Sequence, residues 1–470
     1  MRKIDISLAM VVSAVLSGCA VGPDYKQPEV SLTSSYVGGK AMVAAPMPDS
    51  WWRTFNDPLL DRAVERALSQ NLDLAQVQAR LEQAQAVASL SGANLLPELG
   101  VDGSAERLHS SLKSPLGEIA HAVGASRNYS DYSFGAQASW EIDLFGGLRR
   151  SREAAVAEAR AVEAGAGAMR LSITAEVADA YIALRGYQAR LGVAEEQEKT
   201  ETKLVELIRQ RFAEGVSSER ELQRAIGALE GVRASIPPLR AAIDGQLNRL
   251  DVLMGSQAGT YRAEFMPSAT VPAAVLPSGS LMPADLLRRR PDVLAAEQRL
   301  ISANARIGSA LAEYYPHFSL GAAFGFASLG TANLFSGDAR QIQGLAGLRW
   351  RLFDFGRIDA EVAISRGQEK EALAAYRNAI LKATEDVESA LSRLTESGIE
   401  SKILERQIIA LGTAREQTQL AYQNGVVGLI DVLDANRELL VAADKHAAAK
   451  SAAARASVAA FRALGGGWRS

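Results

Sequence analysis

The chain has 470 residues, is 48% hydrophobic and 22% charged, and sets 51 basic against 54 acidic residues for a formal net charge of −3. This is the composition of a folded protein of two or three domains, and it lacks the surplus of positive charge that a phosphate backbone demands, which argues against nucleic acid as a partner. One cysteine, Cys19, and four scattered histidines (His109, His121, His317, His446) supply neither a disulfide framework nor a Cys/His metal site, so no metal or cofactor is expected.

Arg2 and Lys3 precede an apolar run from Ile6 to Leu16, followed by Ser17, Gly18 and Cys19. The run is well short of the ~20 apolar residues that span a bilayer as a helix, and it reads as a secretory signal over residues 1–18. Leu16-Ser17-Gly18-Cys19 resembles a bacterial lipobox, which implies diacylglycerol and an N-acyl chain on Cys19. Ala20 at the next position resembles lipoproteins sent to the outer membrane.

Residues 19–57 form an N-terminal segment, after which the chain repeats itself. Arg80, Leu81, Ala84 and Pro97 recur as Arg299, Leu300, Ala303 and Pro316, at a separation of 219. Trp140, Phe145 and Gly146 recur as Trp350, Phe355 and Gly356, and Phe212, Gly215, Glu221 and Ala225 as Tyr422, Gly425, Asp431 and Ala435, now at 210. The change falls in the irregular segment after each proline, where loops tolerate length variation. The first repeat covers 58–255 and the second 284–464, joined by a proline-rich linker at 256–283 and followed by a flexible tail at 465–470.

Each repeat opens on an Ala-rich helical stretch, about 58–95 and 284–314, that ends near Pro97 or Pro316. A strand pair follows, at about 99–144 and 317–354. Phe134, Ala136, Ala138, Trp140, Ile142 and Leu144 alternate with Gly135, Gln137, Ser139, Glu141 and Asp143; in the second half Phe318, Leu320, Ala322, Phe324 and Phe326, then Ile342, Leu348, Trp350 and Leu352, repeat the pattern. One apolar and one polar face suit a membrane barrel with a wet interior, and equally a soluble sheet packed on a core. Next comes a proline-free helical pattern to Phe212 and Tyr422, a rod of roughly 100 Å. Its stripe runs through Val177, Tyr181, Leu184 and Leu191, then Leu204, Leu207 and Arg211. The chain turns at Gly215 and Gly425 and a second helix returns, giving helical hairpins at 147–254 and 357–463. Four strands cannot close a barrel and lipid tolerates no open edge, so several copies must supply the rest.

Val21-Gly22-Pro23-Asp24-Tyr25 with Pro28, Trp51-Trp52 with Phe55, Asp57 and Pro58, and Leu287-Arg288-Arg289-Arg290-Pro291-Asp292 with Ala295, Ala296 and Glu297 complete the picture. Together with the repeat they resemble the TolC/OprM outer-membrane factors, in the lipoprotein branch that serves RND pumps. The resemblance implies an α+β homotrimer whose twelve strands close one barrel in the outer membrane, continued by a periplasmic tunnel of coiled helices. It also implies a periplasmic adaptor and an inner-membrane pump as partners, and no catalysis. A type I secretion channel, or a coiled-coil lipoprotein without a pore, are the other readings.

The resemblance further implies an aperture at the hairpin tips, where Asp431 and Asp434 point into the lumen as acidic rings. Spacing alone favors solvated helix residues, Asp434 being three before Arg437, and it is the resemblance that turns them toward the lumen. Glu221 stands where Asp431 stands in the other repeat and is expected to latch Tyr422. The basic residue some members carry two after the glycine is Val427 here, and Arg220 or Arg224 are candidates to replace it through Asp431 or Asp434. Asp354-Phe355-Gly356 matches a kinase triplet, but its repeat mate is Leu144-Phe145-Gly146, which makes it a strand-to-helix junction.

Overall fold

The computed structural model describes residues 20–38, 42–44, 47–124, 126–279, 282–285, 289–466 and 468; the signal segment, Cys19, and Leu287 and Arg288 lie outside the described residues. The first half is built from α1 (Pro58–Gln70), α2 (Leu72–Ala93), β1 (Glu98–His109), β2 (Asn128–Ile142), α3 (Gly147–Ala213) and α4 (Glu219–Leu253). The second half is built from α5 (Pro291–Ala312), β3 (His317–Ser328), β4 (Arg340–Arg349), α6 (Arg357–Gln423) and α7 (Leu429–Ala463). Both ends of α2 and β1 lie 219 residues before those of α5 and β3, and both ends of α3 and α4 lie 210 before those of α6 and α7.

Three element boundaries differ from the sequence reading. The stretch 58–95 is two helices, broken at Asn71: its Oδ1 accepts from the Asp73 and Leu74 amides at 2.9 and 3.0 Å, capping α2, while its Nδ2 donates to the Leu253 carbonyl at 2.8 Å. The helix expected from 284 begins at Pro291, whose fixed φ suits a first helical position. Strand β4 ends at Arg349, leaving Trp350 and Leu352 beyond it, and its outer edge has no partner strand among the described residues. Helix α4 runs through Pro237 and Pro238 without a break. Ile236 and Leu239, on either side, are buried against Ala194 of α3, and that packing outweighs the two missing N–H donors.

The chain divides into two compact units. One comprises the described residues up to Pro28 with 82–161 and 297–375. It holds an antiparallel four-stranded sheet in the order β1-β2-β3-β4, with β1 and β4 as open edges. Register aligns one apolar face across all four strands: Val101, Ala136, Phe324 and Ile342 form one row and Leu99, Ala138, Ala322 and Gly344 the next. The opposite face carries Asp102, Gly135, Gly325 and Gln341, then Gly100, Gln137, Ala323 and Gln343. The motif at 21–25 ties this unit internally: Asp24 accepts from the buried Arg150 at 2.8 Å, and Tyr25 donates to Glu297 at 3.1 Å.

The other unit comprises 29–81, 162–296 and 376–470. Its core gathers Trp51, Trp52, Phe55, Tyr181, Phe265 and Phe461, with Trp51 stacked on Phe461 at 5.2 Å. Asp57 caps α1 through the Leu59 amide at 3.0 Å and accepts from the Tyr181 hydroxyl at 2.6 Å. Burial and the Asp57 carboxylate raise the Tyr181 pKa, so the hydroxyl remains a donor. Arg290 bridges Asp292 and Asp386 at 2.7 and 2.9 Å and donates to the Ala463 carbonyl at 3.1 Å. Among their described residues, the motif runs that carry the family resemblance serve as fold ties, each satisfying a helix end or a buried charge.

Candidate functional site

Helices α3 and α6 end alike. Gly215 and Gly425 have φ of +76° and +74°, a conformation that only glycine adopts freely. The Val216 amide reaches back to the Arg211 carbonyl at 2.8 Å and the Val426 amide to the Ala421 carbonyl at 2.9 Å, so each helix closes with a Schellman motif. The return helices are capped by their own third residue. Glu221 Oε2 accepts from the Ser218 amide at 2.8 Å, and Asp431 Oδ2 accepts from the Gly428 amide at 2.9 Å. The Ser218 backbone bond is the main reason that the Glu221 carboxyl lies below its ordinary pKa. Beneath these turns Val205, Ile208, Ala225, Leu229 and Leu429 form a small core, with Tyr422 and Leu433 packed against it.

The expected Tyr422–Glu221 latch is not made within the chain. Tyr422 instead accepts from Arg211 Nη1 at 2.8 Å, and the Arg211 guanidinium lies 5.2 Å from the center of its ring. Glu221 is held at its own helix start by Ser218, which draws the carboxylate away from the tyrosine. Asp431 and Asp434 are both exposed, and Asp434 pairs with Arg437 at 3.3 Å. Neither Arg220 nor Arg224 forms an ion pair with them among the described residues.

A second tie was not read from the sequence. Glu201, 2% exposed, accepts from Gln197 Nε2 at 2.7 Å and from Asn436 Nδ2 at 3.1 Å, and Asn436 Oδ1 accepts from Arg415 Nε at 3.2 Å. One polar chain thus joins α3, α7 and α6, and its middle member lies two residues from Asp434. Burial raises the Glu201 pKa, opposed by the donors Asn436 and Gln197 and the charge of Arg415. The signal available was a carboxylate on an apolar stripe, since Glu201 precedes Val205 and Ile208 by four and seven residues. The expected stripe through Leu204 and Leu207 is shifted by one residue: Val205 and Ile208 are buried, and Leu207 is 43% exposed.

The sheet answers the question its alternation left open. Among the described residues only the Phe335 ring, packed on Phe134 and Phe326 at one end, lies over the apolar face; elsewhere it is open, with Leu99, Ile342 and Leu348 72%, 76% and 63% exposed. The indoles at the strand ends are held alike in both halves, Trp140 Nε1 donating to the Leu95 carbonyl and Trp350 Nε1 to the Tyr314 carbonyl, each at 3.0 Å.

With this geometry in hand, comparison with known proteins is decisive. The family model for outer membrane efflux proteins matches residues 63–256 and 282–466, and the chain belongs to that family. It is 31% identical over 435 residues to the pyoverdine export outer membrane protein OpmQ of Pseudomonas putida, covering 91% of this chain and 90% of that one. It is 30% identical to nodulation protein T of Rhizobium leguminosarum bv. trifolii, covering 91% and 90%. The solved outer-membrane channel OprN superposes with a TM-score of 0.87 at 32% identity, over 96% of this chain and 100% of that one. The fold is therefore that of the trimeric α+β outer-membrane channels, with four strands per chain contributing to a twelve-stranded barrel. The function is that of an outer-membrane channel of a tripartite efflux system.

Proposed function

We propose that the chain is the passive exit duct for drugs or other small toxic compounds, anchored by lipid on Cys19, joined at its helical hairpins by a periplasmic adaptor and driven by an inner-membrane RND pump. The observation that carries this reading is the sheet: an apolar face left largely uncovered, and two edges unpaired among the described residues, in a chain that also forms long helical hairpins. Lipid covers such a face, and further copies close such edges. The relative named for pyoverdine export supports a small-molecule cargo.

In this reading Asp431 and Asp434 line the narrowest part of the lumen, where threefold repetition gathers six carboxylates that favor cations and repel anions. The ties that hold the tips closed are Arg211–Tyr422 and the Glu201–Asn436–Arg415 chain, and adaptor binding offsets them. A net hydrogen bond is worth about 0.5–1.5 kcal/mol, and about 1.5–3 where a charged group takes part, so a few ties per copy form a barrier that one docking event can overcome. Purified protein in planar bilayers under a salt gradient tests the aperture. Small cation-selective currents are expected from the wild type, and larger, less selective ones from Asp431→Ala/Asp434→Ala. Currents indifferent to both substitutions place the constriction elsewhere, and no current from folded trimer overturns the channel.

A further inference from the structure

The internal repeat specifies how one copy meets the next. We infer that β4 of one copy pairs antiparallel with β1 of the neighboring copy in the register of the β2–β3 junction, so that Arg349 stands opposite Asp102. The inference rests on the trimeric channel reading and adds to it the residue-level seam.

A ring of repeats has two kinds of junction between repeats. The one inside the chain, β2 with β3, pairs Ser139 with Gly321, Trp140 with Leu320 and Ile142 with Phe318. The other joins β4 to β1 of the next copy and has the same two partners with the repeats exchanged. Strand β1 is the counterpart of β3 at a separation of 219, and β4 is the counterpart of β2 at 210. Transferring the pairs sets Arg349 opposite Asp102, Trp350 opposite Val101 and Leu352 opposite Leu99.

The chemistry at the transferred positions was not used to make the transfer, and it agrees. Arg349 and Asp102 are both exposed in the single chain and carry opposite charge. Inside the chain His317 Nδ1 meets Glu141 Oε1 at 2.7 Å; the counterparts are Glu98 and Arg351, where acid and base have changed places and remain complementary. The apolar face stays continuous, since Trp350 and Leu352 fall beside Val101 and Leu99, and these four are 50–72% exposed without a neighbor. Phe145 stacks on Tyr315 at 4.6 Å, whereas its counterpart Phe355 is 99% exposed. The same transfer lays Phe355 on Leu96 of the next copy, which is 67% exposed. Strand β4 also stops three residues short of the point that corresponds to the end of β2, and that stretch, Trp350 to Leu352, is what the neighboring β1 would order.

Paired cysteines read the register. Directly opposed Cβ atoms lie about 4.5–5.5 Å apart and diagonal ones about 7–8 Å. A disulfide spans about 3.5–4.5 Å, so small shifts admit the first and not the second. The transfer opposes Leu345 to Glu106 and Ala346 to Ala105, on opposite faces of the sheet. Leu345→Cys/Glu106→Cys and Ala346→Cys/Ala105→Cys, made in the full chain and oxidized in membranes, are each expected to give reductant-sensitive dimers and trimers on denaturing gels. Leu345→Cys/Ser104→Cys and Ala346→Cys/Arg107→Cys, shifted by two residues in opposite directions, are expected to remain single chains. Amine cross-linking of the same samples reports assembly independently. A trimer that forms disulfides only at a shifted pair, or at none of the four, overturns the register and leaves the channel intact. A wild-type chain that does not assemble overturns the channel reading and the seam with it.

Discussion

At the scale of single residues, the tips of the helical hairpins are held by groups that titrate or carry fixed charge. Glu201 is the most consequential of them, because its raised pKa means the folded protein favors its protonated form. The sign follows: the stability it contributes is complete below the ordinary glutamate pKa and declines as pH rises through the raised value. In Glu201→Gln that decline is expected to disappear, as read by thermal unfolding at 222 nm across pH. Glu201→Ala is expected to cost about 1–3 kcal/mol near neutral pH, since Asn436 and Gln197 lose a buried acceptor. A Glu201→Gln curve parallel to wild type would mean that the carboxyl is solvated in the working protein.

Among elements, the caps decide where helices stop, and they do so by different residues in the two repeats. Ser218 and Glu221 form a reciprocal capping box on α4, whereas Gly428 has no side chain to give and α7 relies on Asp431 alone. Ser218→Ala is therefore expected to lower stability by about 1 kcal/mol. The same helix start freed in this way should raise protease sensitivity around 216–222 before any global unfolding, and limited proteolysis checks it. What could be read in advance follows the same division. The repeat, the turns at Gly215 and Gly425 and the apolar face of β2 were legible, since each rests on a period or on a glycine that local backbone geometry requires. The break at Asn71 was hidden because its side chain is engaged by Leu253, far along the chain. Within one chain the Tyr422–Glu221 bond is absent: Ser218 engages the carboxylate within one helical turn, and Tyr422 is met instead by Arg211 on the preceding helix. Glu201 was missed because a one-residue shift of the buried stripe depends on how α3 packs against α4 and α7, which periodicity alone does not determine.

At the scale of the whole molecule, the lipid proposed on Cys19 would be a hold on the membrane independent of the barrel. An anchor of acyl chains adds about 0.8 kcal/mol per buried methylene, which matters most before the sheet edges of neighboring copies have met. Cys19→Ser is expected to abolish incorporation of labeled fatty acid and to reduce the yield of assembled trimer while leaving the conductance of those trimers unchanged. Retained label would remove the anchor from the picture.

The shift from a separation of 219 to one of 210 falls between the strands of each pair, at 110–127 in one half and 329–339 in the other. After it, both ends of the four long helices keep one spacing. The two halves of the chain thus differ in length at the strand-connecting loops and match in the hairpins. A phage or antibody that grips those loops would count three identical handles on a trimer, while a protein that grips the hairpins would find six nearly identical ones.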